Sequence, residues 1–334
     1  MRTVATAIAA AACTGLLAAC GSSSSNAILL YSGQHEQTTA ALVARFEARE
    51  HIKVEVRSGD EASLGQQLLQ EGSSSPADVF YSENTPVLES LREHGRLAPV
   101  AAATLAAVPA RYNGPAGDWL GVSARVAALA YNPSRLGSTK LPASLLELGA
   151  ARFWGKLAFA PSETDFQPLI AAVAHFDGTA RAERWLRELQ AVGTVYPNNE
   201  AVTTQVNDGQ SGLGPINHYY WYRLRAELGS SGIHSALHYF PPGDAGNLLD
   251  VSGAAVLVSS SHAADAQRFL AFLVSAEGQR TIARSSSYEY PLRAGVAPAA
   301  GLVPLAQLRP TQLSPAALGD GSSDLALEQK VGLL

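Results

Sequence analysis

The sequence predicts an α/β protein of two lobes, and three observations support this prediction. Short apolar segments alternate with amphipathic helical segments from residue 27 onwards. The same alternation begins again near residue 157. Two extended segments, residues 119–132 and 248–253, are placed where the chain would pass between the lobes. Alternating strands and helices are typical of mainly parallel sheets flanked by helices.

The first lobe begins with a strand, a turn and a helix. Residues 27–31 are apolar and indicate a strand, and the following segment places Leu42, Val43 and Phe46 on one helical face. Residues 53–56 alternate between polar and apolar side chains, as in a half-buried strand. This order predicts a strand, a helix and a second strand that lies beside the first.

A further strand and helix continue the first lobe. Residues 78–81 form a short apolar segment that indicates a buried strand. The next helix is expected to start with Thr85 as its N-cap and Pro86 at its first position, and to end at Gly95.

The second lobe repeats this order. Residues 157–160 indicate a strand, and a helix through Ile170 and Val173 follows. A long amphipathic helix is then expected from about Ala180 through Trp185.

The amino-terminal segment predicts export and a lipid anchor. Residues 1–19 combine an early arginine with an apolar core shorter than the roughly 20 residues that cross a bilayer. Leu-Ala-Ala-Cys then resembles a lipobox, so Cys20 is expected to carry the lipid, with residues 20–25 as a flexible tether. A signal peptide cleaved elsewhere, with Cys20 incidental, is the alternative. We therefore expect a lipoprotein anchored to the outer face of the cytoplasmic membrane.

The composition limits the classes of partner and site. About 310 residues follow the signal peptide, which is enough for two domains with their own cores. The formal net charge is −5 and arginines are scattered among acidic residues, so the chain has no basic stripe of the kind that binds nucleic acid. Because Cys13 leaves with the signal peptide, no thiol pair remains for a disulfide or a thiolate metal site.

Two adjacent tyrosines, Tyr219 and Tyr220, are the most informative pair in the sequence. A phenol ionises near pH ~10. Two neighbouring phenolates therefore make chemical sense beside a hard, highly charged cation that displaces their protons. The alternative is ordinary packing, with one tyrosine in the core and the other at the surface.

Two further candidate ligands follow strands of the first lobe. His35 comes after the first strand and Glu83 comes after residues 78–81. Open α/β sheets bind ligands beyond the carboxyl ends of their strands. Imidazole, carboxylate and phenolate together suit a hard to borderline trivalent ion. One carboxylate and two phenolates would also neutralise its charge, so Fe³⁺ is the leading candidate.

Five segments of the sequence resemble ferric-iron-binding proteins, the solute-binding components of iron ABC transporters. In chain order they are residues 31–35 (YSGQH), 76–83 (PADVFYSE), 196–200 (YPNNE), 217–220 (NHYY) and 287–292 (SYEYPL). The resemblance spans essentially the whole mature chain. It implies the type II periplasmic-binding-protein fold, in which each lobe is a mainly parallel sheet with flanking helices and crossing hinge strands join the lobes. Applied to this chain, it divides the amino-terminal lobe from the carboxy-terminal lobe as residues 26–124 with 250–298, and 125–249 with 299–334.

The resemblance also implies a function and a set of ligands. The protein would be a monomer without enzymatic activity that captures Fe³⁺ outside the cytoplasmic membrane and delivers it to an ABC permease and its ATPase. The lobes would close around iron held by His35, Glu83, Tyr219 and Tyr220. Four protein ligands leave about two positions of an octahedral shell. In similar proteins a synergistic anion such as phosphate or carbonate often fills them.

The positions that resemble anion contacts are only partly like those of the family. Similar proteins that hold phosphate tend to have small neutral residues in one turn, whereas this chain has two acids there. The implied anion or supporting positions are Asn84, Ser162, Glu163, Thr164, Asp165, Asn199 and Asn217.

The acids of this turn leave two outcomes open. Glu163 and Asp165 would repel an anion unless they point away, and either carboxylate could instead replace it. Arg125 is the best cationic counterpart, as a partner of a ligand or as an anion contact. A surface ion pair is the alternative for Arg125.

The remaining histidines suggest weaker sites. His218 is either a fifth ligand or a residue that supports the ligands or faces solvent. His234 and His238 have the i, i+4 spacing of a zinc pair on a helix. Tyr-Phe-Pro-Pro follows them at once, which equally predicts a strand approaching a turn.

Two other functions are compatible with parts of the sequence. The same cleft could hold a small organic or anionic solute, with Tyr219, Tyr220 and Trp221 as an aromatic wall and Arg125 on an acidic group. A metal-dependent hydrolase built on His35 and Glu83 belongs to another class, but the sequence supplies no separate nucleophile or general base for it.

Overall fold

The computed structural model describes residues 27–334. The predicted signal peptide, Cys20 and the tether lie outside the described residues. Within the described range, no helix combines the length and the apolar character needed to cross a membrane.

The strands and helices of the described chain follow the predicted alternation. The strands are β1 (Ala27–Ser32), β2 (Lys53–Ser58), β3 (Val79–Ser82), β4 (Leu120–Tyr131), β5 (Leu157–Phe159), β6 (Gly193–Val195), β7 (Leu213–Asn217), β8 (Ala236–His238), β9 (Leu249–Val256) and β10 (Tyr290–Pro291). The helices are α1 (Glu36–Glu50), α2 (Glu61–Glu71), α3 (Thr85–Glu93), α4 (Ala102–Leu105), α5 (Pro133–Leu136), α6 (Gln167–Asp177), α7 (Thr179–Val192), α8 (Asn199–Asn207), α9 (His218–Leu228), α10 (Ala263–Leu273), α11 (Ala276–Arg284), α12 (Leu305–Leu308), α13 (Pro315–Leu318) and α14 (Ser322–Val331).

The strands form two parallel groups joined by antiparallel crossing strands. Their order is β2-β1-β3-β9-β4-β7-β5-β6, and β8 and β10 also pair with β4. In the first lobe β1 is parallel to β2 and β3, and in the second β5 is parallel to β6 and β7. The crossing strands β4 and β9 are antiparallel to each other and to their neighbours. The predicted two-lobed α/β architecture is confirmed.

Strand β4 belongs to both lobes. Its first half pairs with β9 and its second half pairs with β7. The register places Arg125 opposite Asp250, and Ala127 opposite Asn217. The change of partner therefore takes place within two positions of one strand, at the junction of the lobes.

Each lobe has its own apolar core. In the first lobe Phe46 of α1 packs edge-on against Phe269 of α10, with ring centroids 5.0 Å apart. In the second lobe Phe166 stacks on Trp185 of α7 at 5.8 Å. The terminal segment contacts both cores, because Leu302 and Leu308 pack in the first and Leu318, Leu327 and Val331 pack in the second.

Helix α3 begins one residue earlier than predicted. Asn84 has the extended N-cap backbone, so Thr85 is the first helical residue and Pro86 the second. The helix ends at Glu93, and Gly95 lies beyond it with a φ of 65°. The Asn84 side chain makes no capping hydrogen bond, because it is used in the cleft between the lobes.

Candidate functional site

The four predicted ligands come from three strand-to-helix junctions that meet between the lobes. His35 follows β1 and is the N-cap of α1, and Glu83 follows β3. Helix α9 starts directly after β7, so Tyr219 and Tyr220 lie in its first turn. The carboxyl ends of these strands face the same cleft, as expected for an open α/β sheet.

Close contacts join the side chains of the two lobes. The Tyr219 hydroxyl lies 2.8 Å from Glu83 Oε1, and His35 Nε2 lies 3.6 Å from the same oxygen. The rings of Tyr219 and Tyr220 have centroids 4.1 Å apart, and those of His35 and Tyr219 are 5.0 Å apart. The lobes are therefore closed on each other at this point.

Asp165 places a carboxylate between the two phenols. Its Oδ2 lies 3.1 Å from the hydroxyl of Tyr219 and 3.1 Å from that of Tyr220. Its Oδ1 lies 3.1 Å from Arg125 Nη2. The second acid of the turn thus points into the cleft.

Arg125 is fully buried at the floor of the cleft, so the surface ion pair considered for it is wrong. Its guanidinium donates to the Glu83 carbonyl and to Asn84 Oδ1. It also donates to Ser252 Oγ at 3.2 Å and pairs with Asp165. Because these groups come from both lobes, the guanidinium binds the lobes together in the closed form.

Glu61 is a buried acid that the sequence did not reveal. Its Oε1 accepts from Asn84 Nδ2 at 2.7 Å, and its Oε2 accepts from Asn84 N at 2.8 Å and Ser82 Oγ at 2.7 Å. Asn84 Nδ2 also lies 3.3 Å from Asp165 Oδ1 and 3.4 Å from Thr164 Oγ1. Glu61 therefore fixes the amide that supports Asp165.

The other implied anion positions are more scattered. Ser162 is exposed and its Oγ donates to the Pro197 carbonyl at 3.4 Å. Glu163 is half-buried, and burial first and Asp165 second raise its pKa to about 7. Asn199 is buried at the start of α8, and Asn217 is buried at the end of β7.

His218 is buried and already uses both ring nitrogens, so a fifth-ligand role is wrong. The Val126 backbone N–H donates to its Nδ1 at 3.2 Å, and its Nε2–H donates to the Tyr288 carbonyl at 3.0 Å. The ring also stacks on Tyr290 at 4.9 Å. His218 therefore connects the first turn of α9 to β4 and to the first lobe.

The structure also places the other candidate histidines and Trp221. His238 ends strand β8 and His234 precedes that strand, so the helical zinc pair is wrong and the strand is confirmed. The Trp221 indole donates to Ser235 Oγ at 3.1 Å, and the Arg225 guanidinium lies 5.5 Å from its ring centroid. The indole N–H is thus already bonded within the second lobe.

Burial sets the protonation states of the site. It raises the pKa of Tyr219 and Tyr220 well above 10.0, and Asp165 and Glu83 raise it further, so both phenols keep their protons until a cation replaces them. Burial lowers the pKa of His35 to about 4, which leaves the imidazole in the neutral, metal-binding form.

The two carboxyl groups behave differently. Burial and the neighbouring Asp165 raise the pKa of Glu83 above its usual range. Burial opposes the ionisation of Asp165 too, but the Arg125 guanidinium and the nearby donors lower the pKa of this carboxyl. Asp165 is therefore the anionic member of the pair.

The spacing of the donors fits a small octahedral ion. Neighbouring ligands at about 2.0–2.1 Å from such an ion are about 2.9 Å from each other. Three pairs among the Tyr219, Tyr220, Glu83 and Asp165 oxygens are 2.8 to 3.1 Å apart: Tyr219–Glu83, Tyr219–Asp165 and Tyr220–Asp165. Among residues 27–334, His35 Nε2 has no hydrogen-bond partner, so this nitrogen is available to a metal ion.

Tyrosine oxygens are essential to this donor set. In the described part of the chain, no group of three or more His, Cys, Asp or Glu side chains is placed to hold a metal ion. The cluster becomes a plausible ligand shell only when the two phenols are counted with the carboxylates and the imidazole.

The chain is similar to known proteins along nearly its whole length. The sequence family described as bacterial extracellular solute-binding protein matches residues 74–304. The chain is 36% identical over 312 residues to the Fe(3+)-binding periplasmic protein of Serratia marcescens, covering 93% of this chain and 92% of that protein. It is 32% identical over 308 residues to the major ferric iron-binding protein of Neisseria meningitidis serogroup A, covering 92% and 93%.

A solved structure shows the same fold. Iron-bound HitA from Pseudomonas aeruginosa superposes with a TM-score of 0.87 at 42% sequence identity, over 92% of this chain and 99% of that one. At 92% coverage the likeness extends over both lobes, so the two-lobed architecture is that of a known structure.

Proposed function

Because the chain belongs to the bacterial extracellular solute-binding proteins, we propose that it binds ferric iron outside the cytoplasmic membrane and delivers it to an ABC importer. One observation carries this proposal, a buried cluster of two phenols, two carboxylates and a neutral imidazole from Tyr219, Tyr220, Glu83, Asp165 and His35. The names of the relatives support it, since both are called ferric iron-binding proteins and HitA is described as iron-bound.

In this proposal Asp165 serves as a ligand in place of an exogenous anion. Its Oδ2 is equally distant from both phenol oxygens, at 3.1 Å, which is where a ligand adjacent to both would lie. Asn84 and Arg125 hold the other carboxylate oxygen. Five protein ligands then leave one octahedral position, for water or a single anion oxygen.

The charges support this ligand set. Two phenolates and two carboxylates carry four negative charges, which exceed the charge of Fe³⁺ by one. The buried Arg125 guanidinium, paired with Asp165, supplies the missing positive charge. The four acidic ligands, Arg125 and the ion therefore sum to zero charge without phosphate or carbonate, which suits a buried cluster.

Binding and release follow from the protonation states. Iron must displace the phenolic protons of Tyr219 and Tyr220 and the proton that burial favours on Glu83. Closing the lobes excludes water and strengthens the bonds to the ion. Release then requires opening of the lobes, return of these protons, or both.

The proposal extends to partners and location. We propose that the protein acts as a monomeric carrier without enzymatic activity, and that an ABC permease with its ATPase receives the iron. Cys20, in the predicted lipobox, would carry the lipid that keeps the protein at the outer face of the membrane.

Ferric titration with visible spectroscopy tests the proposal. Addition of Fe³⁺ should produce a phenolate-to-iron charge-transfer band that saturates at one ion per chain. Tyr219→Phe and Tyr220→Phe should each remove much of this band and weaken binding, because each deletes a ligand. Tyr222→Phe is the control, since the Tyr222 hydroxyl on the same helix donates to the Gly301 carbonyl at 3.1 Å. A folded protein that shows no band at equimolar iron would contradict the proposal.

A further inference from the structure

We propose that Arg125 exchanges its counter-ion when the lobes open, leaving Asp165 and pairing with Asp250. The inference rests on the proposed function only because it requires that the lobes open and close around a ligand. It gives a positioning role to Asp250, a residue outside the proposed ligand set.

Asp250 faces the same side of the sheet as Arg125. The two residues are directly opposite each other in the antiparallel pair of β4 and β9. Opposed residues of such a pair project from the same face. Ser252, the next residue of β9 on this face, accepts from Arg125 Nη1 at 3.2 Å. The Asp250 side chain therefore lies next to the Arg125 side chain on this face.

Both side chains have a polar atom that is not used in the closed form. Asp250 is 3% exposed and Arg125 is 0% exposed. Among residues 27–334, Asp250 Oδ2 and Arg125 Nε have no hydrogen-bond partner. Within the same range, the single ion pair of the Arg125 guanidinium is with Asp165. A buried polar atom without a partner is unfavourable, so a conformation in which the Arg125 guanidinium bonds to the Asp250 carboxylate would be favoured.

The two acids are held by different parts of the molecule. Asp165 precedes α6, and the adjacent Phe166 stacks on Trp185 in the second-lobe core. Asp250 is held by the β4–β9 ladder that also holds Arg125. Rotation of the second lobe away from the first therefore withdraws Asp165 and leaves Asp250 in place.

The exchange would stabilise the open form relative to the closed form. A guanidinium that loses its counter-ion inside a protein is strongly unfavourable. Asp250 supplies a replacement on the paired strand, and it also gains the partner that it lacks in the closed form. Arg125 thus pairs with Asp165 in the closed form and with Asp250 in the open form. The iron-free protein can then open without leaving the guanidinium unpaired.

Small-angle X-ray scattering of the iron-free protein tests the exchange. Asp250→Asn keeps the shape of the side chain but removes the second counter-ion. We expect the iron-free variant to remain more closed, with a radius of gyration shifted towards that of the iron-loaded wild type. Transfer of iron to a competing chelator should slow on the order of tenfold, because opening becomes less favourable.

Two control variants test whether the effect of Asp250→Asn comes from the loss of its pairing with Arg125. Glu289→Gln removes another buried acid of the same region, whose carboxylate is already bonded to Gln34, Ser123 and Ser252, and should leave the iron-free scattering unchanged. In an Arg125→Met background, Asp250→Asn should have no further effect. Circular dichroism and thermal melting would establish that each variant is folded.

Three results would contradict the proposed exchange of counter-ions. These are an Asp250→Asn protein that opens as fully as the wild type, an equal shift in Glu289→Gln, or an iron-free wild type that scatters like the loaded form. The scattering of the iron-free protein does not depend on iron binding. A wild type without a ferric charge-transfer band would instead contradict the proposed function.

Discussion

Asp165 belongs to the acidic turn at which the sequence differs from the pattern that it resembles. The sequence left open whether the acids of the turn point away or replace an anion. In the structure Asp165 Oδ2 contacts both phenols, and its other oxygen is held by Arg125 and Asn84. In the proposed ligand set, a carboxylate fixed in this way takes the place of a bound anion.

Replacement of Asp165 should make iron binding depend on an added anion. Asp165→Asn removes the charged oxygen between the phenols, so we expect the ferric affinity to fall on the order of 100-fold. Phosphate or bicarbonate should restore part of this loss in the variant and have little effect on the wild type. Competition against a ferric chelator, with and without the anion, measures both effects.

Glu163→Gln provides the matched control for this experiment. Glu163 belongs to the same turn but is only half-buried, so its neutralisation should change the affinity by less than about threefold. Equal losses in the two variants would mean that the turn acts through general electrostatics and that Asp165 is not a ligand.

The sequence indicated some residues of the site better than others. His35, Glu83 and the tyrosine pair follow strands, so their convergence could be expected from the topology of the sheet. Glu61 could not be found in this way, because it follows the N-cap Asp60 and looks like the exposed start of a surface helix. Its burial depends on the packing of α2 against the turn at Ser82, which local sequence does not determine.

At the scale of elements, helix α14 contains an unusual buried pair of acids. Asp324 and Glu328 are one turn apart, and both are buried where α14 packs on α6 and α7. Among the described residues neither Glu328 oxygen has a hydrogen-bond partner. Burial raises the pKa of Asp324 to about 7 and that of Glu328 to about 8, so near neutral pH Glu328 is mostly protonated and Asp324 is about half protonated.

This pair should make the stability of the protein fall as the pH rises from about 4 to about 8. Both folded pKa values exceed the unfolded values of about 4, so the stabilisation is fully present below pH 4 and is lost as pH rises through 7 and 8. The side chain in Glu328→Gln is neutral at every pH, so it avoids the cost of burying a carboxylate. The substitution should stabilise the protein by about 2 kcal/mol at pH 8.5 and by much less at pH 5.

Thermal melting at these two pH values measures the effect. Glu227→Gln, at an exposed position of α9, is the control and should change the melting temperature at neither pH. An equal gain at pH 5 and pH 8.5 in Glu328→Gln would show that the acid is not protonated in the folded state.

At the scale of the whole molecule, the proposed site is complete only when the lobes are closed. His35 and Glu83 belong to the first lobe, whereas Asp165, Tyr219 and Tyr220 belong to the second. The direct contacts between these groups therefore depend on the relative position of the two lobes. Protonation of the ligands and opening of the lobes both oppose iron binding.

Iron binding should release protons and weaken steeply in acid. The pKa of each phenol lies well above 10.0 before iron binds, and the pKa of Glu83 is also raised. We expect two to three protons to be released per ion at pH 7, so the apparent affinity should fall roughly 100- to 1000-fold for each unit of decrease in pH.

Titration in unbuffered solution counts these protons, and chelator competition at pH 6 and pH 7 gives the slope. Tyr220→Phe should release one proton fewer than the wild type if it retains measurable binding. Release of less than one proton per ion would contradict the proposed phenolate ligands.

Much of the overall architecture could be predicted from the sequence. The alternation of strands and helices and the extended residues 119–132 and 248–253 gave two lobes with crossing strands, and the structure confirms them as β4 and β9. The terminal segment was harder to assign. Its apolar residues pack in both cores, and such a division is set by three-dimensional packing and leaves no periodic signal in the sequence.

The position of the site beside β4 has a mechanical consequence. Arg125 pairs with the first lobe and Ala127, two positions later, pairs with the strand that precedes the tyrosines. Because Arg125 contacts both Glu83 and Asp165, the ligands are grouped close to this junction of the lobes, while the outer edges of the lobes are far from it. A rotation of one lobe that moves the ligands by a small distance therefore moves the outer edges of that lobe, its rim, by a larger distance. A transport partner that contacts the rim could therefore distinguish the loaded protein from the empty one without touching the metal.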